Sequence, residues 1–415
     1  MATSENQHTA RHARTAFDLA LGTEVAAARI EAALGVDPEI AAQWRSEIGV
    51  AEAVASVGLE DVRLSEPDLL IRVSENPGTG IGNGVEARAV EDALAILRFI
   101  RAPGDVASAP ADVLDRIDRL AMRGEGDSDA IPGSELADIF SVCRGRAPIL
   151  EAVRAAADYA WRTDRRSPVA ERMVFMAAEH AARGQGAGAA LRDTGTDLLR
   201  GLGGRFAADW ICPPSLALTR PIFRAWSPGN PGMVRELLEA LDRILSQELG
   251  RVITIRRWRA RLSEVSAGRH GRSRLGEAGH AFGIEPFMTS RVLADRIGIT
   301  QRGALNLLAQ LVEEGLIVEM TRRRAARIWA TPGLAAILAP AARRRAASAR
   351  RTGPVRSSAE GAGEGADAAG PGPAEQMSTR NLRAEGQASM ERAMAEFDRV
   401  LAEVDGILGR TRTAP

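Results

Sequence analysis

Residues 288–320 read MTSRVLADRIGITQRGALNLLAQLVEEGLIVEM, and residues 321–330 continue with TRRRAARIWA. Ser290 is an N-cap residue type before RVLADRI, in which Leu293 and Ile297 lie one turn apart on the inner face. Gly298 can take the left-handed conformation that ends a helix and opens a tight turn. Thr300 then caps a second helix from Gln301 to Glu314. Ala304, Leu307, Leu308 and Leu311 form its apolar stripe, so the opposite face carries Arg302, Asn306, Ala309 and Glu313. Gly315 closes this helix, and LIVEM and RIWA predict two strands joined by the loop TRRRAA. Caps, turn glycine and apolar spacing agree on a winged helix-turn-helix.

The residues on the outer face have the chemistry of a base reader. A recognition helix enters the major groove with its N-terminal residues nearest the bases. Here those are Thr300, Gln301, Arg302 and Asn306, with Ser290 at the start of the preceding helix. Arg grips guanine through two hydrogen bonds, and Gln or Asn does the same for adenine. Arg322, Arg323, Arg324 and Arg327 in the predicted wing suit phosphates or a narrow minor groove. Double-stranded DNA is therefore the expected partner, and a transcriptional regulator the expected role. The alternative is a winged helix that docks protein, as in a toxin–antitoxin or plasmid-partition partner.

Charge placement supports the first reading. The 415-residue chain has a formal net charge of zero, so no global field draws it to a polyanion. Between Arg251 and Arg356, however, 21 Arg face 7 acidic residues, an excess of 14 positive charges that the rest of the chain balances. Arg256, Arg257, Arg259, Arg343, Arg344 and Arg345 flank the motif.

Composition excludes several function classes. There is no lysine, and all 54 basic residues are Arg. A P-loop, a protein kinase and a Schiff-base enzyme each need a lysine amine, so none is expected in its usual form. The two cysteines, Cys143 and Cys212, are far apart, without disulfide or zinc spacing, which fits a reducing cytoplasm. No apolar run reaches the roughly 20 residues of a membrane span. The N-terminus lacks a signal peptide's apolar core, so a cytoplasmic location is expected.

With 45% apolar residues, the chain can form two or three globular domains. Residues 1–14 read as a disordered tail and 15–262 as a helical domain, with 263–335 as the winged helix-turn-helix. FDLALGTEVAAARIEAAL, VEARAVEDALAILRFI, ILEAVRAAADYAWR, VAERMVFMAAEHAAR and GMVRELLEALDRILSQEL all carry helical apolar spacing. DLLIRVS, Asp68–Ser74, is the one segment that reads as a strand in this region. Trp44, Trp161, Trp210 and Trp226 are expected core anchors, and Cys143 a buried thiol. Residues 342–378 have the composition of a disordered linker. Within 380–410, Met390, Met394, Phe397, Leu401, Val404 and Leu408 repeat at heptad spacing. They read either as a homodimerising coiled coil or as an amphipathic helix packed on its own chain.

Two motifs suggest enzymes and fail on spacing. NPGTGIGNG, Asn76–Gly84, spaces its glycines at every second position, unlike the G-x-G-x-x-G of a dinucleotide loop, and reads as a flexible loop. SVGLED, Ser56–Asp61, is similar to the inhibitory helix of Fic-type AMP-transferases. Gly82-Asn83-Gly84, however, lacks the preceding His of that family's loop and has Val85 in place of its Arg. A Fic-like chain of this sequence would be catalytically inactive. His8, His12, His180, His270 and His280 show no metal spacing. No enzyme, cofactor or metal is expected.

EAVASVGLEDVRLSEPDLLIR, together with HGRSRLGEAGHAFGIEPFMTSRVLADRIGITQRGALNLLAQLVEEGLIVEM, resembles uncharacterised, often plasmid-borne proteins of rhizobia and related alphaproteobacteria. That resemblance covers about residues 20–335. It implies an N-terminal helical domain of unknown function before a C-terminal helix-turn-helix DNA-binding domain, and it supplies no catalytic residue.

Overall fold

The computed structural model describes residues 15–60, 64, 66–75, 85–121, 131–164, 167–194, 211, 231–267, 273–321 and 327–338. The expected tail at 1–14, the glycine loop at 76–84, the linker at 342–378 and the heptad segment at 380–410 lie outside the described residues. So do Arg322, Arg323, Arg324, Cys212, Trp210 and Trp226.

The chain is mainly helical. Its N-terminal part comprises α1 (Ala16–Gly35), α2 (Pro38–Val57), α3 (Glu66–Glu75), α4 (Val85–Arg101), α5 (Pro110–Ala121), the short α6 (Gly133–Leu136), α7 (Pro148–Arg162) and α8 (Pro168–Thr194). The 37-residue α9 (Pro231–Ala267) follows. Side-chain caps start the first two helices: Thr15 and Asp18 form a capping box, and Asp37 accepts the N–H groups of Glu39 and Ile40. α1 lies along α9, α7 along α8 and α2 along α4. Trp44, Ile48, Leu69, Leu97, Ile149 and Met173 are among the residues of the core they enclose.

DLLIRVS is helical, as part of α3, and does not form the expected strand. Leu69, Leu70 and Val73 recur at helical intervals against the core, and Pro67, near the start of α3, presets the helical φ. A short apolar run cannot separate the two periods, and helical packing decided this one. Trp44 is fully buried, but Trp161 is 41% exposed and is no core anchor.

The C-terminal part follows the order α10 (Leu275–Ile284), β1 (Phe287–Thr289), α11 (Ser290–Ile297), α12 (Gln301–Glu313), β2 (Val318–Glu319) and β3 (Ile328–Ala330). A last helix occupies residues 332–338. The strands form one antiparallel sheet in the order β1-β3-β2, pairing Phe287 with Ala330, Met288 with Trp329 and Glu319 with Trp329.

This sheet is covered on both faces. Phe287, Ile328 and Ala330 belong to the core of the helical body, whereas Met288 and Trp329 belong to the core formed by α10, α11 and α12. Side chains of a strand alternate between faces, so three residues of β3 can serve two cores. The expected boundary at 262/263 falls inside α9. Val252 and Ile255 on that helix join the first core, and Leu262 and Val265 join the second.

Candidate nucleic-acid interface

Local chemistry fixes the ends of α11 and α12. The Thr289 hydroxyl accepts the N–H of Val292 at 3.3 Å, so Thr289 is the N-cap of α11 and not Ser290 as the sequence suggested. Gly298 ends α11 at φ 65°, in the left-handed region, and nothing crowds the space where its Cβ would sit. The Thr300 hydroxyl accepts the Gly303 N–H at 3.2 Å and caps α12. At the other end, Gly315 donates to the Val312 carbonyl and Leu316 to that of Leu311. With Gly315 at φ 69°, this is the paired bonding of a Schellman cap, and Leu311 and Leu316 are both buried beneath it.

The predicted candidates fall into four groups. Arg302 and Asn306 are exposed on the first turns of α12, with Thr300 exposed at its cap. Gln301 is exposed too, and its amide Nε2 donates to the Ser290 hydroxyl at 3.3 Å. Ser290 itself is 9% exposed, so it braces the turn and offers little surface to a ligand. Arg327 lies over the Trp329 ring, 4.9 Å from its centroid, and pairs with Glu319 through Nε at 2.8 Å. Arg322, Arg323 and Arg324, expected in the wing, lie outside the described residues.

Sequence reasoning alone does not single out two residues on this face. Arg291 is exposed at the start of α11 and, like Arg302, has no ion-pair partner among the described residues. Leu305 is 37% exposed on α12, on the turn after Arg302. Its three-residue spacing from Arg302 was visible in the sequence, but the apolar stripe drew attention to the inner face.

Electrostatics separate the two ends of α12. The N-terminal half carries Arg302 and the positive end of the helix dipole. The C-terminal half ends in exposed Glu313 and in Glu314, which pairs with Arg261 of α9 at 3.3 Å. Arg296 pairs with Glu285 at 2.8 Å and bonds the Ala281 carbonyl, so its charge holds α11 to α10.

The platform behind the helices is anchored to the helical body by polar groups. Trp258 of α9 donates its indole N–H to the Leu316 carbonyl at 2.7 Å. Thr331, directly after β3, donates its hydroxyl to Glu47 of α2 at 2.7 Å. Arg251 reaches the Gly333 carbonyl at 3.2 Å while its Nε bonds Glu248 at 2.7 Å, and Glu248 also accepts the Trp44 indole N–H. Glu47 is fully buried, and burial raises its carboxyl above the ordinary range against the pull of Thr331, Arg251 and Gln43.

Among the described residues, no cluster of three His, Cys, Asp or Glu side chains could hold a metal ion. No described helix is long and apolar enough to cross a membrane. Cys143 is buried, and burial with the neighbouring Glu151 pushes its thiol up to about 12, far from a reactive thiolate.

No protein-family model and no curated protein matches the chain.

Proposed function

We propose that residues 275–330 form a winged helix-turn-helix that reads the DNA major groove with α12, and that the helical body regulates it. The observation that carries this reading is the N-terminal half of α12. It presents Arg302 and Asn306 to solvent and leaves Arg302 unpaired among the described residues. A helix, a short strand and two further helices, closed by a hairpin, follow the order expected of a winged helix, and the Thr300 cap starts α12 with its outer face in solvent. The resemblance to alphaproteobacterial helix-turn-helix proteins points the same way. A transcriptional regulator built like this would transmit a change in the helical body through the shared sheet.

Selection of bound duplexes from a random pool, followed by titration at two salt concentrations, tests the proposal. The expected result is an enriched sequence whose affinity falls steeply with salt. A pool that emerges without enrichment sinks it.

A protein-docking module is the second reading, and one specific feature favours it. Leu305, Ala309 and Val312 are all exposed along α12, and Arg327 of the hairpin is already held by Glu319. Acidic residues thus interrupt the positive surface at the hairpin and at the C-terminal end of α12. A module of this kind would retain partner binding when Arg302 is replaced and lose it when Val312 is.

A further inference from the structure

The outer face of α12 holds an apolar side chain that the fold does not use. Ala304, Leu308 and Leu311 fill the core behind the helix, whereas Leu305 is 37% exposed. A single exposed leucine needs no explanation on most surfaces. This one sits three residues after Arg302 and next to Asn306, among the groups proposed to meet base edges. Ala309, one turn further along the same face, is exposed and small, so it adds no bulk beside Leu305.

Resting on the DNA reading above, we infer that Leu305 recognises the C5-methyl group of a thymine adjacent to the base gripped by Arg302. Three residues of helix advance about 4.5 Å along the axis. Stacked base pairs are about 3.4 Å apart. Leu305 therefore falls near the pair next to the one Arg302 addresses. The thymine methyl is the apolar feature that a base pair shows in the major groove, where other positions are donors or acceptors. Glu313, exposed at the far end of α12, disfavours phosphates there. That restricts the inserted part to the turns carrying Arg302, Leu305 and Asn306.

The test uses the full-length chain and the duplex it selects. Each thymine of that duplex is replaced in turn by deoxyuridine, which removes the methyl and leaves every hydrogen-bonding group in place. One replacement should lower affinity about fourfold, the factor expected from burying a methyl-sized apolar group. Leu305→Ala should lower affinity for the thymine duplex by a similar factor and bind thymine and deoxyuridine duplexes equally. It should keep the base preference set by Arg302. At the same position, a 5-methylcytosine pair that outbinds thymine would assign the methyl to modified cytosine and overturn the thymine inference. Indifference of the wild-type chain to every deoxyuridine overturns it too, as does a Leu305→Ala chain that still distinguishes the two duplexes. A wild-type chain that selects no sequence overturns the DNA reading itself, a result separate from these.

Discussion

The Thr331 hydroxyl donates to the Glu47 carboxylate at 2.7 Å, joining residues 284 positions apart. Glu47 belongs to α2 of the helical body, and Thr331 starts the segment that follows β3. The second carboxylate oxygen, Oε2, has no hydrogen-bond partner and faces Gly333, where an added Cβ would lie 2.6 Å from it. That approach is possible only because residue 333 has no side chain. Gly333→Ala must therefore displace a buried carboxylate and is expected to destabilise by about 1–3 kcal/mol. Thr331→Val removes the donor while leaving the acid in place, with a cost of about 1–3 kcal/mol. Urea denaturation followed by far-UV circular dichroism measures both, and unchanged midpoints would refute the close packing at this joint.

Glu24 gives a pH dependence with a defined sign. Part of this residue reaches the surface, but its carboxyl is enclosed, where it accepts the Leu150 N–H at 2.9 Å near Arg183 and Glu179. Burial pushes its pKa from 4.5 up to about 7, against the backbone bond to Leu150 and the charge of Arg183. Below about 4.5 the group is protonated in the folded and unfolded chain alike. Between 4.5 and about 7 the unfolded chain gives up its proton first, so stability falls as pH rises, by at most about 1.4 kcal/mol per pH unit. Above about 7 this contribution is gone. Glu24→Gln keeps an acceptor for Leu150 and should flatten that decline. Denaturation of both chains at pH 5 and pH 8 would show the wild type losing more, and parallel losses would contradict the assignment.

Two glycines of the C-terminal part are needed for opposite reasons. Gly298 has open space around it but sits at φ 65°, so Gly298→Ala is strained by its backbone alone and should cost about 1 kcal/mol. Gly279 of α10 has ordinary helical dihedrals, but an added Cβ would lie 2.1 Å from Leu262 Cδ1. Gly279→Ala must displace the buried Leu262 side chain between α10 and α9 and should cost more, about 1–3 kcal/mol. A Gly298→Asn variant, which tolerates the left-handed region, should recover part of the first loss. Thermal melts of the three variants rank these effects, and Gly298→Ala as the worst of them would reverse the argument.

Some of this molecule was legible in the sequence because local rules decided it. Gly298, Thr300 and the Ala304–Leu308–Leu311 stripe each follow from turn, cap or period, and the structure places them as helix end, helix cap and core. What could not be read depends on distant partners. Phe287–Thr289 is too short for a period, and it is a strand because β3 lies beside it. Thr289 outcompetes its neighbour as the cap of α11, because Ser290 is turned inward and accepts from Gln301. The joint of Glu47, Thr331 and Gly333 brings together residues nearly 300 positions apart, and no local pattern announces it. Helical spacing alone makes Arg302 and Asn306 an exposed pair, whereas the hold of Glu319 and Trp329 on Arg327 arises only when the strands pair.

On the proposed DNA reading, Arg302 and Arg327 should differ in their effect on binding. Arg302→Ala is expected to relax base preference at one pair, by about 5- to 150-fold, and to leave other positions unchanged. Arg327→Ala should change affinity little, because Glu319 already neutralises that charge. Glu319→Gln, which releases Arg327, should strengthen binding to all sequences and steepen the salt dependence by about one unit. Fluorescence anisotropy against a panel of single-pair variants of the selected duplex separates the three. Equal losses for Arg302→Ala and Arg327→Ala at every pair would remove the distinction between them.

The shared sheet sets the strongest constraint on how this chain folds. Phe287, Ile328, Ala330, Leu334 and Leu338 are at most 3% exposed, and all of them are covered by the helical body. Their neighbours Met288 and Trp329 are covered by α10, α11 and α12. Cutting the chain before residue 268 would bare the first set and remove Leu262 and Val265 from the second core. A fragment of residues 268–338 should therefore lack a cooperative melt and bind a hydrophobic dye. In the intact chain, Ile328→Ala and Trp329→Ala should lower a single common Tm although they face different cores, because β3 belongs to both. Calorimetry of the intact variants reads this directly. Two transitions, with each substitution shifting only one, would show that the parts melt independently and that the sheet does not carry a signal between them.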